Sequence, residues 1–174
     1  MRLTWRFWVG IASVLAGLVA PYLARAETKL TYFNGMWRGS GSDRNSPLES
    51  LQRTSCQTTI QADLRRMNSN TVCDGQAGLH KVIDFSITLD GNQFTGDLSQ
   101  STIVRGSAAS ASVLKGSVVG RKAEDTARFQ VLFPGLVPSA IVNFKIHSPS
   151  SYSMHVTSLG LTLMDVIFNR TDQR

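Results

Sequence analysis

The sequence predicts an all-β protein, an antiparallel up-and-down β-barrel of about 8–10 strands with one disulfide. Three observations predict this fold class. Beyond the first 26 residues, apolar side chains recur with a period of two, which is typical of half-buried strands. Short turn segments separate these runs, and this favours antiparallel neighbours, because parallel strands need long crossovers. Closure into a barrel then removes the exposed edges that many short strands would otherwise leave.

The N-terminus has the parts of a secretory signal peptide. A positively charged start precedes an apolar run over about 7–23, and Ala24-Arg25-Ala26 fits the small-residue cleavage site. An uncleaved anchor helix is the alternative, and Pro21 counts against it because proline breaks helices. We therefore expect 1–26 to be a cleaved signal peptide and 27–174 to be a periplasmic or secreted barrel domain. No membrane span is expected after cleavage.

The charge balance argues against a nucleic-acid-binding protein. The chain carries 18 Lys and Arg against 12 acidic residues, a net charge of +6, but cleavage removes three arginines and leaves +3 over 148 residues. The remaining basic residues are spread along the chain, with adjacent pairs only at Arg65-Arg66 and Arg121-Lys122, whereas a nucleic-acid footprint needs a denser stripe. These side chains, Lys81 among them, are expected on a solvated surface.

The strands follow from alternation and from turn residues. Ile83, Phe85 and Ile87 share one face, and Asp90-Gly91-Asn92 then predicts a hairpin into a second run that begins near Phe94. A short helical turn is expected over 28–33. The other predicted strands cover 36–41, 51–60, 64–72, 103–106, 113–119, 129–133, 140–146, 152–156 and 161–170.

One motif stands at the start of the first strand. Gly35-Met36-Trp37-Arg38-Gly39-Ser40-Gly41 fits G-x-W-x-G-x-G, in which Trp37 can plug one end of a small barrel. Gly39 and Gly41 relieve crowding where a strand bends to close the barrel. Arg170 ends the last strand, beside the first in a closed meander, so its guanidinium can stack on Trp37. An ordinary core tryptophan and an ordinary exposed arginine are the alternative.

Cys56 and Cys73 are the two cysteines of the chain, and both remain after signal cleavage. An even number of cysteines in an exported chain predicts a disulfide. Two free thiols or a redox pair are the alternatives, although the C-x-x-C spacing typical of redox catalysis is absent from the sequence.

The motif, with a closing Arg170, resembles the lipocalin/calycin superfamily, whose members pair these two features at the closed end of the barrel. Over roughly 30–170 the chain more closely resembles small exported alphaproteobacterial proteins with a lipocalin-like barrel and no assigned activity. The shared features are the G-x-W-x-G-x-G start, the strand Arg53-Thr54-Ser55-Cys56, a second cysteine and the hairpin at Phe94-Thr95-Gly96. The resemblance implies the barrel fold more firmly than it implies a biochemical function.

Residues that could carry chemistry do not form a known motif. His80, His147 and His155 lack the spacing of metal ligands and are expected on the surface or in the lumen. The sequence has no G-x-S-x-G motif, which in hydrolases places a nucleophilic serine on a sharp turn. Among the carboxylates, Glu124 and Asp125 are expected in a turn and Asp165 is expected to be exposed to solvent. The sequence therefore predicts no catalytic residues, no metal site and no cofactor, and an enzyme is the minority hypothesis.

Two functions remain open at this point. The first is a non-catalytic periplasmic protein that binds a small apolar or amphipathic ligand in the mouth of the barrel, since barrel mouths are recurrent ligand sites. The alternative is a protein-interaction module, such as a protease inhibitor that uses residues 27–33 or an envelope-associated structural protein. Leu30 and Phe33 could instead cap the end of the barrel, which is the reading we prefer.

Overall fold

The computed structural model describes residues 30–104 and 112–171, and in these residues ten antiparallel strands close into one barrel. Consecutive strands pair with each other, and β1 pairs with β10 to close the sheet. The predicted fold class is confirmed, while the predicted signal peptide lies outside the described residues. The strands are β1 (Gly35–Asp43), β2 (Gln52–Ala62), β3 (Arg66–Gly75), β4 (Leu79–Asp90), β5 (Gln93–Val104), β6 (Ser112–Ala123), β7 (Thr126–Leu132), β8 (Ala140–Ser148), β9 (Ser151–Ser158) and β10 (Leu161–Arg170).

The alternation seen in the sequence becomes the inner and outer faces of the barrel. In β2, Thr54, Cys56, Thr58 and Ile60 are buried and the residues between them are exposed. Because successive side chains of a strand point to opposite faces, this pattern places every second residue in the interior. Within the described ranges, the helical segments are the 3-10 turns Leu30–Phe33 and Gln76–Gly78, and neither could span a bilayer.

Several predicted strand boundaries differ from the structure by a few residues, and two of the differences have an identifiable cause. Residues 103 and 104 do not start a separate strand, because β5 runs unbroken from Gln93 to Val104 in register with β4, and residues 105 and 106 lie outside the described residues. Polar residues in the middle of β5 obscured this continuity. Leu64 lies in the turn between β2 and β3, where the carboxylate Oδ1 of Asp63 accepts the backbone N–H groups of Arg65 and Arg66 at 2.7 Å each.

The two ends of the barrel differ, and we name each after a residue of β1. The Trp37 end holds the Leu30–Phe33 turn and the tight turns at 63–65, 91–92, 124–125 and 149–150. The Asp43 end holds the longer connections at 44–51 and 133–139, the 3-10 turn at 76–78 and the turn at 159–160.

Aromatic side chains fill the interior at the Trp37 end. The ring of Tyr152 stacks on Phe168 with centroids 4.9 Å apart and meets Trp37 edge-on at 4.9 Å. Phe33, from the N-terminal turn, packs edge-on against Tyr152 at 5.6 Å, and Leu30 is buried. Such edge and offset contacts are the favourable geometries for aromatic pairs.

Candidate ligand-binding cavity

A cavity of about 230 Å³ runs inside the barrel between the two ends. Barrels of about eight strands are filled by their own side chains, and a ten-stranded barrel is wider. At roughly 30 Å³ for each molecule of liquid water, the volume corresponds to about eight waters. The space is therefore that of a small organic molecule.

One wall of the cavity is aromatic. Phe129 lies at the centre of this wall. The centroid of its ring is 5.3 Å from that of Phe85, 4.9 Å from that of Phe94 and 5.6 Å from that of Phe144. The rings hold one another in place, so the wall offers a rigid apolar surface to a bound molecule. The aromatic wall consists of Phe85, Phe94, Phe129, Phe133, Phe144 and Tyr152.

The opposite wall, on β2 and β3, carries the hydroxyls of Thr58, Ser69 and Thr71 together with the apolar side chains of Ile60 and Met67. The hydroxyls of Thr58 and Thr71 are 2.9 Å apart in a buried hydrogen bond. Thr58 also pairs with the phenol of Tyr152, and burial raises the pKa of that phenol well above its usual range. The Cys56–Cys73 disulfide lies on the interior face of the same two strands, because the two residues are directly opposite each other in β2 and β3 and both are buried.

A buried ion pair stands at the Asp43 end. Lys81 Nζ donates to Asp43 Oδ1 at 2.7 Å, and the side chains are 5% and 1% exposed. Asp43 is the last residue of β1 and Lys81 lies near the start of β4, with β2 and β3 between them in the sheet. The pair therefore reaches across the interior and ties two strands that are not neighbours. Both residues line the cavity.

Burial dominates the electrostatics of Asp43. It raises the pKa of this carboxyl above its ordinary value, although the neighbouring Lys81 ammonium acts in the opposite direction. Within the part of the chain that the structure describes, Asp43 Oδ2 is buried and has no hydrogen-bond partner. A buried polar atom of this kind costs free energy unless another group satisfies it.

The connection after β1 is held over this end of the barrel. Lys81 Nζ also donates to the carbonyl oxygen of Arg44 at 3.3 Å. The guanidinium of Arg44 in turn donates to the carbonyl oxygens of Thr162, Pro47 and Glu49. Backbone acceptors from β10 and from the 44–51 connection thus fix Arg44 beside the ion pair.

The structure brings the residues of the G-x-W-x-G-x-G motif together at the other end. The guanidinium of Arg170 lies 4.7 Å from the centroid of the Trp37 ring, which is the stacking that the motif predicts. Trp37 Nε1 donates to the carbonyl oxygen of Phe33 at 2.8 Å. Gly35 has φ of 123°, a conformation open to glycine and strained for other residues.

Gly39 and Gly41 allow the close approach of β10 to β1. A Cβ atom on Gly39 would stand 2.6 Å from Val166 Cγ1, and one on Gly41 would collide with the carbonyl oxygen of Asp165. Side chains at either position would push β10 away from β1. The motif therefore positions the barrel closure and does not line the cavity.

Sequence reasoning missed the ion pair. The prediction that Lys81 lies on a solvated surface is wrong, because the whole residue is only 4% exposed. Lys81 shares a face of β4 with Leu79 and Phe85, so the alternation itself was a signal that it points inward. Asp43 shares a face of β1 with Trp37 in the same way.

The histidines lie on partly or largely solvated positions with polar partners. His147 Nε2 is 3.0 Å from Ser153 Oγ, and His80 Nδ1 is 2.9 Å from Asp74 Oδ1. His155 Nδ1 is 3.8 Å from the exposed carboxylate of Asp165, as expected for a solvated position.

Comparison with known proteins adds little to this description. No family model matches the chain, and no curated protein matches it. Among solved structures, a redesigned β-barrel aligns with 84% of this chain and 98% of its own length, at 11% identity and a TM-score of 0.43. A likeness of this degree carries no argument about function. The architecture rests on the strand pairing of this chain itself.

Proposed function

We propose that this protein is an exported, lipocalin-like binding protein that holds a small apolar or amphipathic ligand inside its barrel. The observation that carries the proposal is the cavity of about 230 Å³, with an aromatic wall facing a wall that carries hydroxyl groups. Ligand sites are typically concave and mostly apolar, with a few polar groups that fix the orientation of the ligand. The proposed role is non-catalytic.

The polarity of the two walls suggests how such a ligand lies. An apolar body packs against Phe129 and its neighbours, where burial of apolar area contributes about 25 cal/mol per Å². A polar end lies toward the threonines of β2 and β3 or toward the ion pair. A purely apolar ligand fits the aromatic wall alone.

The alternative of a protein-interaction module finds no support among the described contacts. An inhibitor that uses residues 27–33 would have to release Leu30 and Phe33 from the barrel. Leu30 is 4% exposed and Phe33 packs against the core, so release would expose apolar surface.

The binding proposal is tested with 1-aminoanthracene, a small apolar probe whose fluorescence rises in apolar surroundings. We expect the protein to bind it, and Ala140→Phe to weaken binding at least tenfold, because Ala140 lines the cavity and the new ring fills part of it. Ile141→Phe is the matched control, since it adds a similar side chain at the next position of β8, on the opposite face.

Two results would contradict the proposal. One is the absence of probe binding by a correctly folded protein that also retains no small molecule in native mass spectrometry. The other is equal binding by Ala140→Phe and Ile141→Phe, which would place the probe outside the barrel. Export is tested separately, by the intact mass of the protein recovered from the periplasm, which we expect to correspond to a chain that starts at Glu27.

A further inference from the structure

The Asp43–Lys81 pair is not saturated by the residues around it. A lysine ammonium has three N–H donors, and the described residues provide Lys81 Nζ with two acceptors, Asp43 Oδ1 and the Arg44 carbonyl oxygen. Asp43 Oδ2 has no partner among the described residues. One donor and one acceptor are therefore left side by side, on two residues that line the cavity.

The formal charges at this end of the cavity cancel. Lys81 balances Asp43, and the connection that covers them carries one further residue of each charge near the pair, Arg44 and Glu49. A charged head group buried here would meet a like charge at hydrogen-bond distance, which is costly in surroundings of low polarity. A neutral group that both donates and accepts a hydrogen bond meets no such repulsion.

We propose that the Asp43–Lys81 pair selects a ligand with a neutral hydroxyl head group over an alkyl carboxylate or an alkylammonium of the same chain length. The hydroxyl donates to Asp43 Oδ2 and accepts from Lys81 Nζ, and the alkyl body follows the aromatic wall. This inference rests on the proposed function, because it names the chemical class of ligand for the same cavity.

Charges at the other end of the cavity do not provide the same selection. Lys122, Glu124 and Asp125 also border the cavity. Glu124 and Asp125 are exposed and Lys122 is partly exposed. Water and salt screen charges in such positions, so they discriminate weakly between head groups.

The test compares 1-octanol, octanoate and octylammonium at pH 7, each by displacement of 1-aminoanthracene and by calorimetry. We expect octanol to bind at least tenfold more tightly than either ion. In Asp43→Asn the lysine charge is left alone, so octanoate becomes the tightest ligand. In Lys81→Met the carboxylate is left alone, so octylammonium becomes the tightest.

Matched controls carry the same substitutions at exposed positions. Asp165→Asn and Lys145→Met change charge outside the barrel and are expected to leave the order of the three ligands unchanged. The double variant Asp43→Asn/Lys81→Met removes both buried charges at once, which avoids an unfolded single variant with one charge left unpaired. It is expected to keep binding 1-aminoanthracene and to bind octanol several-fold more weakly than the wild type, because the charge-assisted hydrogen bonds to the pair are lost.

The outcomes separate this inference from the proposed function. If 1-aminoanthracene binds but octanol binds no more tightly than octanoate, or if the double variant binds octanol as tightly as the wild type does, the inference is overturned and the proposed function stands. If neither the probe nor any of the three octyl compounds binds to the folded protein, both are overturned.

Discussion

Arg170 and Trp37 are directly opposite each other in the β1–β10 register, and the guanidinium of Arg170 lies 4.7 Å from the centroid of the Trp37 ring. The same guanidinium donates through Nη2 to the carbonyl oxygens of Tyr32 and Asn34. One side chain thus joins the first strand, the last strand and the N-terminal turn.

Arg170→Met is expected to lower the free energy of unfolding by about 1–3 kcal/mol, because it removes the cation–π contact and charged hydrogen bonds to the backbone. Urea denaturation measures the loss. Arg38→Met, at an exposed position of β1, is the control and is expected to be within about 0.5 kcal/mol of the wild type. Equal stability of the two variants would show that Arg170 does not hold the closure.

Gly41→Ala is expected to destabilise the barrel by about 1–3 kcal/mol, because overpacking forces the backbone to shift. The new methyl group would collide with the Asp165 carbonyl oxygen and stand 2.8 Å from Val166 Cα. Thermal unfolding followed by circular dichroism measures the change. Ser40→Ala, at the exposed neighbouring position, should have little effect, and similar melting of both variants would contradict the close approach of β10.

Leu30→Ala is expected to cost about 2–5 kcal/mol, the range for truncation of a buried leucine. Tyr32→Ala is its control in the same turn, since the Tyr32 side chain is 49% exposed and only its backbone oxygen accepts from Arg170. Urea denaturation compares the two. If Leu30→Ala and a deletion of residues 27–33 both leave stability intact, the segment does not cap the barrel, and the protein-interaction alternative gains ground.

Asp43 and Asp63 are expected to affect stability with opposite dependence on pH. Burial raises the pKa of Asp43 above its ordinary value of 3.8, so the folded state binds this proton more readily than the unfolded state. The stabilisation that Asp43 contributes is present at low pH and is lost as the pH rises through the pKa that Asp43 has in the folded state. Backbone N–H groups of Arg65 and Arg66 lower the pKa of Asp63, so its contribution is present above 3.8 and is lost as the pH falls.

Urea denaturation at a series of pH values measures this difference. Relative to Asp43→Asn, the wild type should lose stability as the pH rises above 3.8, and relative to Asp63→Asn it should lose stability as the pH falls below 3.8. A gain of stability with rising pH relative to Asp43→Asn would mean that the attraction of Lys81 outweighs burial.

Most of the fold could be predicted because apolar and polar side chains alternate along each strand. Runs such as Phe85 to Leu89 show their inner and outer faces directly, and in the structure they lie as predicted. The antiparallel order followed from turn lengths, and the Cys56–Cys73 bridge followed from the even cysteine count in a chain expected to be exported. Strand faces and turn lengths depend on a few neighbouring residues, so they can be predicted from a single sequence.

The cavity and its ion pair could be predicted only in part. Asp43 and Lys81 lie 38 residues apart, and their contact depends on the curvature of the whole barrel. Alternation places both side chains inside, whereas the charge of Lys81 predicts an exposed position, and the two signals conflict. Whether an interior is open or filled depends on the strand tilt and on every rotamer along the walls, which no local pattern contains.

The position of the disulfide has a kinetic consequence. Cys56 and Cys73 are each 1% exposed and face the inside of the barrel, so a thiolate cannot attack either sulfur while the strands remain paired. The rate at which excess dithiothreitol reduces the bond therefore measures how often the barrel opens. In a reducing medium the disulfide would stay intact for as long as the barrel stays closed. The fraction of reduced protein would therefore report how many molecules have opened since the reductant was added.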